Sequence, residues 1–137
     1  MKLPLCFYEK RSYSVFIDSL NQHSISGRFN ANDLDLESTH TFNGLVYELT
    51  NKIYNFAFSI EWEHTDVPSF TTFTGILHLN NITNQNILDL KWLLVMGARK
   101  DSLQGFSRLR EEYEPDNHAK KHLPFPNNKL SSKAPIY

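Results

Sequence analysis

A single cysteine, Cys6, is all the thiol chemistry this chain of 137 residues has. One cysteine excludes an intrachain disulfide and a cysteine-rich metal site. An excess of one charge is missing too. Fourteen basic residues stand against fifteen acidic ones, for a net charge of −1. There is therefore no electrostatic case for nucleic acid or an anionic membrane as partner. No apolar run approaches the ~20 residues of a membrane helix. The start, Met1-Lys2-Leu3-Pro4-Leu5-Cys6, lacks the apolar core of a signal peptide. The default expectation is a cytoplasmic protein, with export lacking a cleaved signal left open. No segment before residue 98 carries the 3.6-residue period of an amphipathic helix.

Catalytic groupings are scarce as well. No Ser–His–Asp spacing, pair of inward carboxylates or metal-ligand set emerges, so neither an enzyme nor a cofactor is expected. His118 and His122 are spaced i, i+4, but Pro115 and Pro124 leave little helix and no third ligand is near. They read as solvated. His23, His40 and His64 fall near turns and His78 on the outer parity of a strand, so each reads as a surface histidine.

What the chain does have is alternation. Tyr54, Phe56, Phe58, Ile60 and Trp62 share one parity against Asn55, Ala57, Ser59 and Glu61. Leu88, Leu90, Trp92, Leu94 and Met96 share one against Asp89 and Lys91. Side chains at i, i+2 and i+4 of a strand line one face, so both tryptophans and Phe73 point into one interior. The same period predicts eight strands, at about 3–9, 12–19, 23–31, 40–50, 53–63, 69–80, 87–97 and 99–110. Turn chemistry separates them: Asn21-Gln22, Asn51-Lys52, Asp66-Val67-Pro68, Asn80-Asn81 and Gly97. Evenly spaced strands with short links predict an all-β, eight-stranded antiparallel up-and-down barrel over residues 1–110, large enough inside for side chains or one small ligand. Residues 111–137 hold four of the six prolines and little apolar periodicity. They predict a flexible or loosely docked tail, probed by truncation, in which about 115–137 contributes little core unless Pro124-Phe125-Pro126 or Ile136-Tyr137 docks on the barrel.

Five motifs in order give the barrel a family resemblance. They are Ile25-Ser26-Gly27-Arg28-Phe29; Phe56 through Trp62; Ser69 through Gly75, which contains Thr71-Thr72-Phe73-Thr74-Gly75; Trp92-Leu93-Leu94; and Phe106-Ser107-Arg108-Leu109-Arg110. Over residues 5–110, and most strongly over 54–110, this order resembles the avidin/streptavidin family, whose eight-stranded barrels bind biotin inside. The resemblance implies a ligand site. Trp62, Phe73 and Trp92 would form the aromatic box and Thr71 the hydroxyl near the ligand sulfur. Ser69 would be a hydroxyl near its carboxylate end, and Ser12 a donor to the ureido oxygen.

The departures from the family pattern bear on affinity. Phe29 stands where the family has a tyrosine donor, and Ala31 where it has a hydroxyl. Gln104 falls where an acidic or amide side chain accepts from a ureido N–H, and the strand-one donor falls on Tyr8 or Glu9. A buried polar atom left without a partner costs about 1–3 kcal/mol, so biotin is expected to bind below the family norm. The loop 32–39 carries Asp33, Asp35 and Glu37 and no base. It reads either as a solvated acidic loop with no ligand role or as a negative mouth that favours an amide or a cation over a free carboxylate. The stretch from Trp92 to Phe106 is shorter than in the family and lacks its lid tryptophan. A monomer or homodimer is thus expected rather than the family's tetramer. Two readings follow: a barrel that holds biotin or a biotin-like compound, or a barrel that no longer binds biotin and meets a protein partner through its loops and tail. An open or a filled interior between Trp62, Phe73 and Trp92 separates them.

Overall fold

The computed structural model describes residues 2–10, 12–31, 38–62, 67–80, 82–83, 85–98, 102–112 and 123–126. Eight strands follow one another: β1 Leu5–Glu9, β2 Tyr13–Leu20, β3 Ser24–Ala31, β4 Ser38–Thr50, β5 Ile53–Trp62, β6 Ser69–His78, β7 Ile87–Met96 and β8 Leu103–Arg110. Each pairs antiparallel with the next, and β1 pairs with β8 at Tyr8 and Arg110, closing the barrel. The expected class and strand order are borne out. The ends differ by a few residues. β1 starts at Leu5, after the proline at position 4, because proline has no N–H to give a ladder. β8 starts at Leu103 rather than 99.

Alternation decides which face is inside. On β5, Phe56, Phe58, Ile60 and Trp62 are buried while Asn55, Ser59 and Glu61 are exposed. On β7, Leu88, Leu90, Trp92, Leu94 and Met96 are buried. Trp62 is 6% exposed and Trp92 4%. The outer face keeps an apolar stripe on β4, where Leu45, Tyr47 and Leu49 are largely exposed.

The register stacks the inward residues in rows. One row runs Gly44, Phe58, Phe73, Trp92, Gly105 across β4 to β8. Three large rings lie between two glycines, which is how an interior of fixed width is filled. Phe58 stacks on Phe73 at 4.8 Å and on Phe42 at 3.8 Å. A Cβ at position 105 would overlap the Trp92 indole, and one at Gly27 would come within 2.8 Å of the Phe42 ring. A side chain at Gly105 would displace the Trp92 ring, and one at Gly27 would first meet the Phe16 backbone carbonyl, which is why the small residues sit there.

The outer wall has its own ties. The Arg108 guanidinium grips Asp89 with two hydrogen bonds, 2.8 and 3.0 Å, between β8 and β7. His78 on β6 lies 3.4 Å from the same carboxylate. The Arg108 contact, outweighing a partial burial that opposes it, holds the Asp89 carboxyl below its usual range. Arg28 makes a similar fork to Asp18 at 2.9 Å, where β2 carries a bulge against β3.

Candidate functional site

The adjoining ends of β1 and β2, β3 and β4, β5 and β6, and β7 and β8 all lie at one end of the barrel, and most of the ligand-facing residues expected from sequence gather there. The row nearest that end on β5 to β7 is Trp62, Ser69, Met96; the next is Ile60, Thr71, Leu94, Leu103. On β1 to β3 the corresponding row is Glu9, Tyr13, Ala31, followed by Phe7, Val15, Phe29. Trp62, Ser69, Thr71, Phe73, Trp92, Phe29 and Ala31 are all buried and face inward.

Two expected positions lie elsewhere. Ser12 is in the β1–β2 turn, where its backbone N–H donates to the Glu9 carbonyl at 2.9 Å. The first inward residue of β2 is Tyr13. Gln104 is exposed on the outer face of β8, because the inward parity there belongs to Leu103, Gly105 and Ser107. The inward residue beside it, Gly105, makes room for Trp92. Of the two strand-one candidates, Glu9 is the buried one. The acidic loop residues Asp33, Asp35 and Glu37, and His64, His118 and His122, lie outside the described residues. His40 was expected at the surface. Instead it is half-buried on β4, with its ring edge-on to Trp62 at 4.9 Å.

Among the described residues the interior at this end is packed with aromatic side chains, and one of them comes from the C-terminal region. Phe125 is 1% exposed. Its ring meets Tyr13 at 6.2 Å, Phe29 at 6.1 Å and Trp62 at 6.1 Å, edge-on or tilted in each case. Phe29 is the hub, stacked on Tyr13 at 5.1 Å and in contact with Trp62 and Phe73 at 5.6 and 5.4 Å. The expectation that about 115–137 contributes little core is therefore corrected at Leu123–Pro126, where the docked alternative holds: Phe125 is core.

One polar chain crosses this aromatic site. Trp62 Nε1 donates to Thr71 Oγ1 at 2.8 Å, and Thr71 Oγ1 donates to the Pro124 carbonyl oxygen at 2.6 Å. Thr71 is wholly buried, so its hydroxyl is usable only by a group already inside the barrel. Two other buried donors, the Tyr13 hydroxyl and Trp92 Nε1, have no hydrogen-bond partner among the described residues. The Ser107 hydroxyl faces Tyr13 and opposes the effect of burial on the phenol, at a geometry too poor for a full hydrogen bond. Burial dominates and pushes the Tyr13 phenol well above the usual range.

Sequence reasoning missed Tyr13, His40 and Phe125 as site residues. Tyr13 was legible, since it shares the inward parity of Val15 and Ile17. The prolines flanking Phe125 mark a preset extended segment, but nothing local says where that segment docks. As for metals, no trio of His, Cys, Asp or Glu among the described residues is grouped to hold one. Cys6 is half-buried and its thiol is pushed up, chiefly by burial.

No family model matches the chain and no curated protein matches its sequence. Solved structures do match. Apo shwanavidin is 21% identical at a TM-score of 0.59, over 80% of this chain and 97% of that one. A biotin-binding protein from chicken is 18% identical at 0.61, over 80% and 94%. Rhizavidin is 19% identical at 0.59, over 86% and 87%. At these identities the likeness is one of fold, and the chain has the avidin-like fold.

Proposed function

We propose that this chain is a small-ligand-binding barrel that takes biotin or a biotin-like cyclic compound at the Tyr13–Trp62–Thr71 end, below the family norm. One observation carries the reading: the buried Thr71 hydroxyl, set among Phe29, Trp62 and Phe73, already holds a carbonyl oxygen. Apolar walls with a few placed polar groups are what a small-ligand pocket needs. The unpartnered Tyr13 hydroxyl and Trp92 N–H add two donors that an acceptor-bearing ligand could satisfy. The fold likeness to a chicken protein that binds biotin supports the ligand class.

Weak binding follows from two features of the chain. Phe29 and Ala31 bring no hydroxyl to read a ureido ring, and a ligand must displace the Phe125 ring. Ser69 and Trp92 would line the ligand's remaining surface, and catalysis has no part in this function. Calorimetric titration of biotin and biotin amide into the full-length protein and into Phe125→Ala tests the reading. Micromolar or weaker binding that tightens in the variant is expected. No heat from either ligand with a folded variant refutes it.

The second reading, an interaction module, rests on the same aromatic packing among the described residues and on the exposed Leu45, Tyr47 and Leu49 stripe. A homodimer that covers this stripe belongs with it. Sedimentation across a concentration series, with Leu45→Lys as control, decides between a monomer and that dimer.

A further inference from the structure

The barrel is complete without its C-terminal region. β1 and β8 already pair, so every strand has two neighbours before residue 111 is reached. Leu123–Pro126 adds no strand to the sheet. It is held instead as a bound molecule is held. One apolar group, the Phe125 ring, sits among Tyr13, Phe29 and Trp62. One polar atom, the Pro124 carbonyl oxygen, takes the hydrogen of a hydroxyl inside the barrel.

We propose that the interior of this barrel is a peptide-binding site and that its resident occupant is the chain's own Leu123–Pro126 segment, a proline-flanked phenylalanine acting as an intramolecular ligand. The proposal rests on the reading that this end of the barrel binds ligands, and it names a peptide as a class of ligand for that site. Three features favour the segment over other sequences. Phe125 supplies the flat apolar body that three aromatic neighbours can enclose. Pro124 leaves its carbonyl available, having no N–H to be satisfied inside an apolar site. Pro124 and Pro126 fix their own backbones beforehand, which lowers the ordering cost of docking.

The fit is incomplete, and that makes the occupant replaceable. The Tyr13 hydroxyl and Trp92 N–H have no hydrogen-bond partner among the described residues while the segment is in place. A ligand with acceptors for them would gain hydrogen bonds that the segment does not make. Any such ligand competes with a tethered one. Attachment on one chain gives an effective concentration on the order of 1 mM. A segment whose free affinity is about 100 μM would therefore weaken an outside ligand roughly tenfold.

The test uses the capped peptide acetyl-Leu-Pro-Phe-Pro-amide and the full-length protein, followed by tryptophan fluorescence and calorimetry. The peptide should bind Phe125→Ala, and should bind the unmodified protein at least tenfold more weakly. The same peptide with alanine for its phenylalanine should not bind Phe125→Ala. Thr71→Val placed in Phe125→Ala should weaken the peptide by about tenfold, through loss of the anchor to its carbonyl. If Phe125→Ala fails to fold, Phe125→Leu takes its place, with a smaller gain over the unmodified protein expected. Equal peptide affinity for the unmodified and variant proteins, or no binding to a folded variant, overturns the proposal. Biotin titrated in parallel separates this from the biotin reading. Peptide binding without biotin binding leaves the proposal standing and removes biotin as ligand. Biotin binding both proteins with equal affinity means that the segment does not occupy the site.

Discussion

Thr71 and Pro124, far apart in sequence and on either side of the barrel's closure, are joined by a hydrogen bond of 2.6 Å from the threonine hydroxyl to the proline carbonyl. The same hydroxyl accepts from Trp62 at 2.8 Å. Thr71→Val keeps the volume but leaves the indole N–H and the carbonyl without this partner. A buried group so stranded costs about 1–3 kcal/mol. Urea unfolding should show a loss in that range, and Thr71→Ser should recover most of it. A valine variant as stable as the unmodified protein would mean that the hydroxyl is not shared between barrel and tail.

Phe125 gives a second measure of the same docking. Truncating a buried phenylalanine to alanine typically costs about 3–5 kcal/mol. A segment outside the sheet can swing out and recover part of that by solvation. The expected loss for Phe125→Ala is about 3 kcal/mol, read as a lower thermal midpoint with the β-sheet circular dichroism unchanged. A midpoint within a degree of the unmodified protein would place Phe125 outside the core.

How far the sequence predicted all this depends on the kind of signal. Period-two alternation around Trp62 and Trp92 fixes strand and face together, because a slip of one residue would turn both rings outward. Turn residues such as Asn51-Lys52 then set the order of hairpins; Lys52 does adopt a positive φ of 73°. Placement by motif alone was less secure. Gln104 was matched to a ligand position, but parity on β8 puts it outside and leaves Gly105 within. Ser12 was matched in the same way, although the strand begins one residue later, at Tyr13. Phe125 illustrates a different difficulty. Its burial comes from a contact between distant parts of the chain, and no local period or turn encodes such a contact.

Tyr13 should make stability fall at alkaline pH. Its phenol is held protonated above the usual range by burial in the fold, while the unfolded chain titrates near pH 10. Above about pH 10 the folded state retains a proton that the unfolded state has lost. Stability then falls with rising pH, by about 1.4 kcal/mol per pH unit, until the folded protein also ionises. Tyr13→Phe should remove that part of the slope. It should also be neutral or slightly stabilising at pH 7, since the hydroxyl it deletes has no partner. An unchanged alkaline slope in the variant would assign the loss to other groups.

Asp89 acts at the other end of the pH scale. Its carboxyl is held low mainly by the Arg108 fork, and that contribution to stability is present above the unfolded value, near pH 4. It is lost as pH falls through the still lower folded value. Asp89→Asn should therefore be less stable than the unmodified protein at pH 7, with the gap closing below about pH 4. Arg108 is half-exposed, so the gap at neutral pH should be modest and should shrink with added salt. A gap that stays constant from pH 7 to pH 3 would trace it to packing instead of charge.

The ligand itself can be tested by restoring what β3 has lost. Phe29 is packed against Tyr13, Trp62, Phe73 and Phe125. A hydroxyl added there in the unmodified protein would enter a filled space, and Phe29→Tyr alone should destabilise. In Phe125→Ala the space is vacated. Phe29→Tyr with Ala31→Ser in that background should offer two new hydrogen bonds to a ureido ring. At about 1 kcal/mol net for each, biotin binding should tighten roughly ten- to hundredfold over Phe125→Ala alone. The amide should bind at least as well as the free acid, given that the sequence between β3 and β4 carries Asp33, Asp35 and Glu37. Calorimetry with both ligands on the folded triple variant reads these outcomes directly. No binding there would mean that a pocket with its hydroxyls restored still rejects the ureido ring. The barrel would then belong to a ligand of another class.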